Sequence, residues 1–341
     1  MTGRERITLT VRGEQTDSLP LIPISMMIAA DQAGVCYRQY VLDAAAHARG
    51  QIAFAERYDV DHVSAISCPT TEAADLGAAI IYYENQPPAV DESNALLQDK
   101  SRLRSLNVPD PGSGPRMSKR LEVISRLKTE VGDQKLVEGW VEGPIAESCD
   151  LRGINTFMMD LYDDEGFVRD LFDFVFEMEM TFARAQIAAG ADIIGVGDAA
   201  ASLAGPKLYR AFIWEYQKRY VQTLHEMGAL VRLHICGNTT PLLAMLREVG
   251  ADILDLDSMV ALTAARRETG PRQLLSGNID PVRALRDGTP ESVYRAFQEC
   301  YDQAGGSCYA VNAGCEVPRD TPAENIDAMR RFARENRARP L

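Results

Sequence analysis

The stretch Arg232-Leu233-His234-Ile235-Cys236-Gly237-Asn238-Thr239-Thr240 decides how the rest of the chain is read. Ala229 to Ile235 is an apolar run with strand character that stops at Gly237-Asn238, just before a helical pattern begins. That is the pattern of a buried strand turning into a helix. His234 and Cys236 then close the strand two positions apart, and side chains at that spacing leave the same face. Near the C-terminus, Asn312-Ala313-Gly314-Cys315-Glu316-Val317-Pro318 puts Cys315 at the corresponding point of a later strand, Ser307 to Gly314. An imidazole and two thiols at strand ends suit zinc, and three protein ligands leave a fourth position for a reactant. The plainer reading is packing, because cysteine is among the most buried residue types and His-x-Cys is a short motif. The matching glycine context of Cys315 favours the metal, so His234, Cys236 and Cys315 are the expected ligands.

Outward from this strand the same punctuation recurs. Strand-like runs are read at Leu19–Ile24, Asp61–Ser67, Gln134–Val141, Ala191–Asp198, Ala229–Ile235, Asp252–Asp257, Gln273–Asn278 and Ser307–Gly314. Helical patterns are read over Val41–Tyr58, Ser118–Val131, Phe167–Ala189, Lys207–Met227 and Pro241–Val249. Strands alternating with helices predict an α/β fold, a (β/α)8 TIM barrel formed by one domain over residues 1–341, with a doubly wound sheet as the runner-up. The polar, proline-bearing region 78–115 after the second strand predicts an inserted hairpin and a lid-like loop. Barrel sites gather at strand C-termini, and those ends carry Ser25, Ser67, Glu142, Asp198, His234, Cys236, Asp257, Asn278, Asp280 and Cys315.

Composition sets limits. The chain has 341 residues, 46% of them hydrophobic and 25% charged, and 36 basic against 49 acidic side chains give a net charge of −13. Nucleic acid and anionic membrane surfaces would be repelled. The start, Met1-Thr2-Gly3-Arg4-Glu5-Arg6, has no signal-peptide pattern, and no apolar window is long enough to span a bilayer, so a cytoplasmic location is expected. Seven scattered cysteines argue against a disulfide framework. Cys36, Cys68, Cys149, Cys300 and Cys308 are expected to be packed thiols, having no ligand at metal spacing nearby.

Two thiolates and an imidazole leave bound zinc with little net charge, so a coordinated substrate thiol loses its proton yet stays nucleophilic. Thiol alkylation is the chemistry this suggests. Asp198 and Asp257 are the candidate catalytic carboxylates: fourth ligand, partner of His234 or substrate-orienting base, with a capping strand-end carboxylate as the plain alternative. Glu316, beside Cys315, is equally open. Tyr209, Trp214 and Tyr216 are expected to pack within a helix.

Several segments together resemble one family: Glu142-Gly143-Pro144 with Leu151-Arg152-Gly153; Gly197-Asp198-Ala199-Ala200-Ala201-Ser202 with Gly205-Pro206; His234-Ile235-Cys236-Gly237-Asn238; Ser276-Gly277-Asn278-Ile279-Asp280-Pro281; and Gly314-Cys315-Glu316-Val317-Pro318. The chain is similar to the uroporphyrinogen decarboxylase superfamily and, within it, to zinc-dependent cobalamin methyltransferases. The resemblance implies a barrel with zinc on His234, Cys236 and Cys315, and methyl exchange between a corrinoid (cobalamin) and a zinc-activated thiol such as a coenzyme M-like acceptor. It also implies a separate corrinoid protein docking over the strand C-termini. A second reading is an O-demethylase-type reaction that moves methyl from a methoxylated donor to cob(I)alamin. Decarboxylation of a small or tetrapyrrole carboxylate and a non-catalytic corrinoid-binding module are further readings. Decarboxylases of the superfamily carry arginines after the first strand, whereas Pro23 to Ala30 has none.

Overall fold

Seven short parallel strands follow one another around a curled sheet in the computed structural model, which describes residues 1–339. They are β1 (His62–Ser64), then, beyond an antiparallel hairpin of β2 (Ile80–Ile81) and β3 (Ala89–Val90), β4 (Leu136–Glu142), β5 (Ile193–Gly197), β6 (Leu230–Ile235), β7 (Ile253–Leu256), β8 (Leu274–Ser276) and β9 (Tyr309–Ala310). The order β1-β4-β5-β6-β7-β8-β9 is sequential, as expected of a (β/α)8 barrel. The hairpin lies in the region where an insertion is expected.

The first expected strand, Leu19–Ile24, is the exception. It fills the gap between β9 and β1 but forms a bridge only at Leu21, paired with Val311. Ile22 N–H donates to Val311 O, Val311 N–H to Pro20 O, and Asp61 N–H to Leu21 O. Pro20 and Pro23 have no N–H to give, so a regular ladder cannot form there although the wall is closed.

The helices depart from expectation in two places. Val41–Tyr58 is interrupted at Asp43, whose carboxylate accepts from the N–H groups of Ala45 and Ala46 and starts a new helix, Ala44–Arg57. Lys207–Met227 contains a wide turn at Tyr209–Ile213 before the regular helix Trp214–Glu226. A helix over Gly3–Val11 was not expected. Thr2 and Glu5 form its reciprocal cap, and Ile7 is buried with Ile22, Leu136, Ile193, Ile253 and Leu274. That apolar layer closes the end of the barrel where the strands begin.

Above it, period-two alternation brings a second layer of charged side chains into the barrel. Arg232, fully buried, donates to Glu138 (3.3 Å) and Asp255 (2.9 Å). A buried cation is tolerable only with such partners. Burial alone would push both acids up, but Arg232 outweighs it and holds each down to about 2. The site is built on this layer, at the C-terminal ends of the strands. Among the described residues no helix is long and apolar enough to cross a membrane.

Candidate metal centre

β6 delivers His234 and then Cys236 to the same face, and Gly237, with φ of 85°, turns the chain away immediately afterwards. Cys315 arrives from the loop after β9. His234 Nε2 is 3.0 Å from Cys236 Sγ and 3.9 Å from Cys315 Sγ, and the two sulfurs are 3.9 Å apart. Among the described residues this is the one group of three or more His, Cys, Asp or Glu whose donor atoms lie within 4.8 Å of one another. A tetrahedral zinc at about 2.3 Å from sulfur and about 2.0–2.1 Å from nitrogen needs edges of about 3.8 Å between sulfurs and about 3.5 Å between sulfur and nitrogen. The donor triangle fits these edges to within about half an ångström. Cys236 and Cys315 are each half-buried, just beyond the C-terminal ends of β6 and β9.

The imidazole is oriented from behind. His234 Nδ1 is 2.9 Å from Asp255 Oδ2, and a carboxylate only accepts, so Nδ1 carries the proton and Nε2 is turned to the sulfurs. Asp255 is fixed in turn by Arg232 (2.9 Å) and by Asn312 Nδ2 on its other oxygen (2.6 Å). Burial alone would lower the His234 pKa, but Asp255 and Cys315 outweigh it and raise it to about 10. The Cys315 thiol is lowered to about 4, first by its hydrogen bond with Cys236 and then, against burial, by His234. Cys315, then burial, pushes the Cys236 thiol up.

The partner of His234 is thus Asp255, which sequence reasoning did not single out. The sequence offers Asp255 and Asp257 two positions apart, and only the β6–β7 register shows that Asp255 is the one that pairs with His234. Neither Asp198 nor Asp257 belongs to the donor group. Asp198 is fully buried and accepts from the N–H groups of Ile145 (3.1 Å) and Ala146 (2.9 Å) and from Gln217 (2.7 Å), capping the helix Pro144–Arg152. Burial raises it to about 7. Asp257 accepts from Gly237 N–H and Met259 N–H, both at 2.9 Å, and so fixes the turn after Cys236. Glu316 accepts from Met27 N–H (2.8 Å), tying the last loop to the first. Asn278 spends its amide on the carbonyls of Asp257 and Val260. Cys68, Cys149, Cys300 and Cys308 are buried free thiols and Cys36 is half-buried.

A family model for uroporphyrinogen decarboxylase (URO-D) matches residues 2–336. The chain belongs to the uroporphyrinogen decarboxylase family. Among its relatives, methylcobamide:CoM methyltransferase MtbA of Methanosarcina mazei is 28% identical, with 98% of each chain covered. Methylcobamide:CoM methyltransferase MtaA of Methanosarcina barkeri is 24% identical, with 96% of each covered. Uroporphyrinogen decarboxylase of Streptomyces avermitilis is 28% identical over 72% of this chain and 67% of its own. A solved methyltransferase from Methanosarcina mazei superposes with a TM-score of 0.89 at 23% identity, covering 98% of this chain and 99% of that one. That likeness shows the fold.

Proposed function

We propose that this family member is a zinc-dependent corrinoid methyltransferase that transfers a methyl group between a methylated corrinoid and a thiol. The observation that carries the proposal is the convergence of His234, Cys236 and Cys315 at the open end of the barrel. The names of the relatives covering nearly the full chain, methylcobamide:CoM methyltransferases, support the same reaction class. Zinc, when bound, supplies a positive charge that keeps a substrate thiol in its anionic, nucleophilic form at neutral pH.

The chain's own residues do the rest. His234, Cys236 and Cys315 would hold the ion; Asp255 keeps the Nδ1 proton of His234 in place so that Nε2 is available to it. Asn312 and Arg232 keep Asp255 from turning. Asp257 and Asp198 act by fixing the turn after Cys236 and the helix beside the mouth. The thiol acceptor is of the coenzyme M-like class.

The corrinoid is carried by a separate protein that docks over the strand C-termini, in this proposal. The four most exposed large apolar side chains among the described residues support it: Tyr162 (71%), Met259 (65%), Leu203 (62%) and Met159 (59%). All four lie in segments between a strand's C-terminal end and the next long helix, the side on which barrel sites are built. Exposed apolar groups gathered on one face mark an interaction surface.

The test is anaerobic incubation of the zinc-loaded protein with methylcobalamin and a panel of thiols, following cob(I)alamin by its absorbance. Cob(I)alamin is expected only when a thiol is present, and not with Cys315→Ala. Full activity in Cys315→Ala, or carbon dioxide release from a carboxylate with no corrinoid added, would overturn the proposal.

A further inference from the structure

The strand registers place two glycines between a tryptophan–glutamate pair and the charged face of β6. Trp140 pairs with Gly195 and Glu142 with Gly197; on the other side Gly195 pairs with Arg232 and Gly197 with His234. Neither glycine needs an unusual backbone, and each is instead where a side chain cannot be. A Cβ at Gly195 would lie 2.1 Å from Trp140 Cε3, and one at Gly197 would lie 2.7 Å from Cζ2 and 2.9 Å from Nε1. The indole therefore lies flat across β5, in a slot that exists because both positions lack side chains.

Its two ends are occupied. Trp140 Nε1 donates to Glu142 Oε1 at 3.0 Å, and the indole centroid is 6.5 Å from that of the His234 imidazole, with the planes at 51°. Trp140 is 3% exposed. Asp255 holds His234 at Nδ1 and the sulfurs stand at Nε2, so Trp140 is the aromatic side chain packed beside the imidazole on the β5 side. A ring pinned only at its nitrogens can still tilt, and the flat, hydrogen-bonded indole takes that freedom away.

We infer that Trp140, seated in the Gly195–Gly197 slot and anchored by Glu142, is a positioning residue that sets the plane of the His234 imidazole for metal binding. The inference rests on the metal reading of His234, Cys236 and Cys315. Trp140 touches no reacting atom. Its contribution is the geometry of a ligand, and so belongs with metal affinity rather than with the identity of the substrate.

Three variants test it. Trp140→Ala removes the indole, Trp140→Phe keeps an aromatic plane without the anchor, and Gly197→Ala leaves the tryptophan but pushes it out of the slot. Cobalt(II) is titrated into each metal-free protein, reading the thiolate charge-transfer absorption and, in a Trp214→Phe background, quenching of the remaining Trp140 emission. Affinity is expected to fall about tenfold or more in Trp140→Ala and in Gly197→Ala, with Trp140→Phe between them and the parent. Far-ultraviolet circular dichroism of the metal-free forms identifies any variant that has not folded, and Gly197→Ala decides the matter if Trp140→Ala has not. Parent-like affinity in folded Gly197→Ala and Trp140→Phe, or emission indifferent to the metal, would overturn the inference. Absence of cobalt binding by the parent itself would instead overturn the metal reading.

Discussion

Asp255→Asn is the sharpest perturbation of the centre, because it changes one oxygen to an amide without changing shape. Asp255 has a side-chain exposure of 1% and serves three donors: His234 at 2.9 Å, Arg232 at 2.9 Å and Asn312 at 2.6 Å. An amide oxygen can accept at one side only, and its NH2 would face donors. Arg232 then keeps Glu138 alone for charge balance, 3.3 Å away. Removing one partner of a buried ion pair costs about 3–5 kcal/mol. The same change frees the imidazole to flip or change tautomer, which lowers metal affinity about 10- to 100-fold. Asn312→Ala is the graded control: it loses one charge-assisted bond to Asp255, worth about 1.5–3 kcal/mol, together with the longer bond accepted from Ile24 N–H (3.3 Å), and leaves the His234–Asp255 contact intact. Denaturant unfolding of the metal-free proteins reads the first quantity, and zinc competition against a chromophoric chelator reads the second. Asp255→Asn with parental zinc affinity would refute the role given to this carboxylate. So would equal losses of affinity in the two variants.

Other consequences are independent of that residue. Glu147 is fully buried with neither oxygen hydrogen-bonded, and burial followed by repulsion from Glu72, Asp150 and Glu142 raises its pKa well above the ordinary 4.5. A carboxyl raised in the folded state loses stability as pH climbs from its unfolded value toward its folded one, at about 1.4 kcal/mol per pH unit. Glu147→Gln is therefore expected to unfold later than the parent at pH 8 and to show a much smaller advantage at pH 5; a gain that does not change with pH would refute this. Asp198→Ala removes a helix cap and a bond to Gln217, so a loss of about 2 kcal/mol or more is expected in denaturant unfolding, with zinc content unchanged. Loss of zinc without loss of stability would move Asp198 into the centre.

The barrel was legible because its strands are buried on both faces and end at Gly or Pro, as at Gly237 and at Gly143-Pro144. The segment at Leu19–Ile24 was legible as part of the wall but not as a mere bridge, since its prolines speak against a ladder without saying which neighbour supplies the bonds. The first helix carried its own sign, Thr2-x-x-Glu5, which a charged N-terminus obscured. His234, Cys236 and Cys315 could be named from position alone. Asp255 and Trp140 could not, because their parts depend on register: one residue of slip between β6 and β7 would put another residue opposite His234, and nothing local says that Gly195 and Gly197 face an indole. Asp198 and Asp257 stood at conspicuous strand ends, yet their oxygens serve backbone N–H groups, a use that only the three-dimensional arrangement of loops reveals.

The most direct measurement is zinc K-edge X-ray absorption on the protein as purified and after addition of a thiol substrate. Two sulfurs at about 2.3 Å and one nitrogen at about 2.0–2.1 Å, with a light atom replaced by a third sulfur when the thiol is added, is the expected result. A protein that purifies without zinc and cannot be loaded with it, or a shell closed by four protein ligands that the thiol leaves unchanged, would contradict the proposed centre.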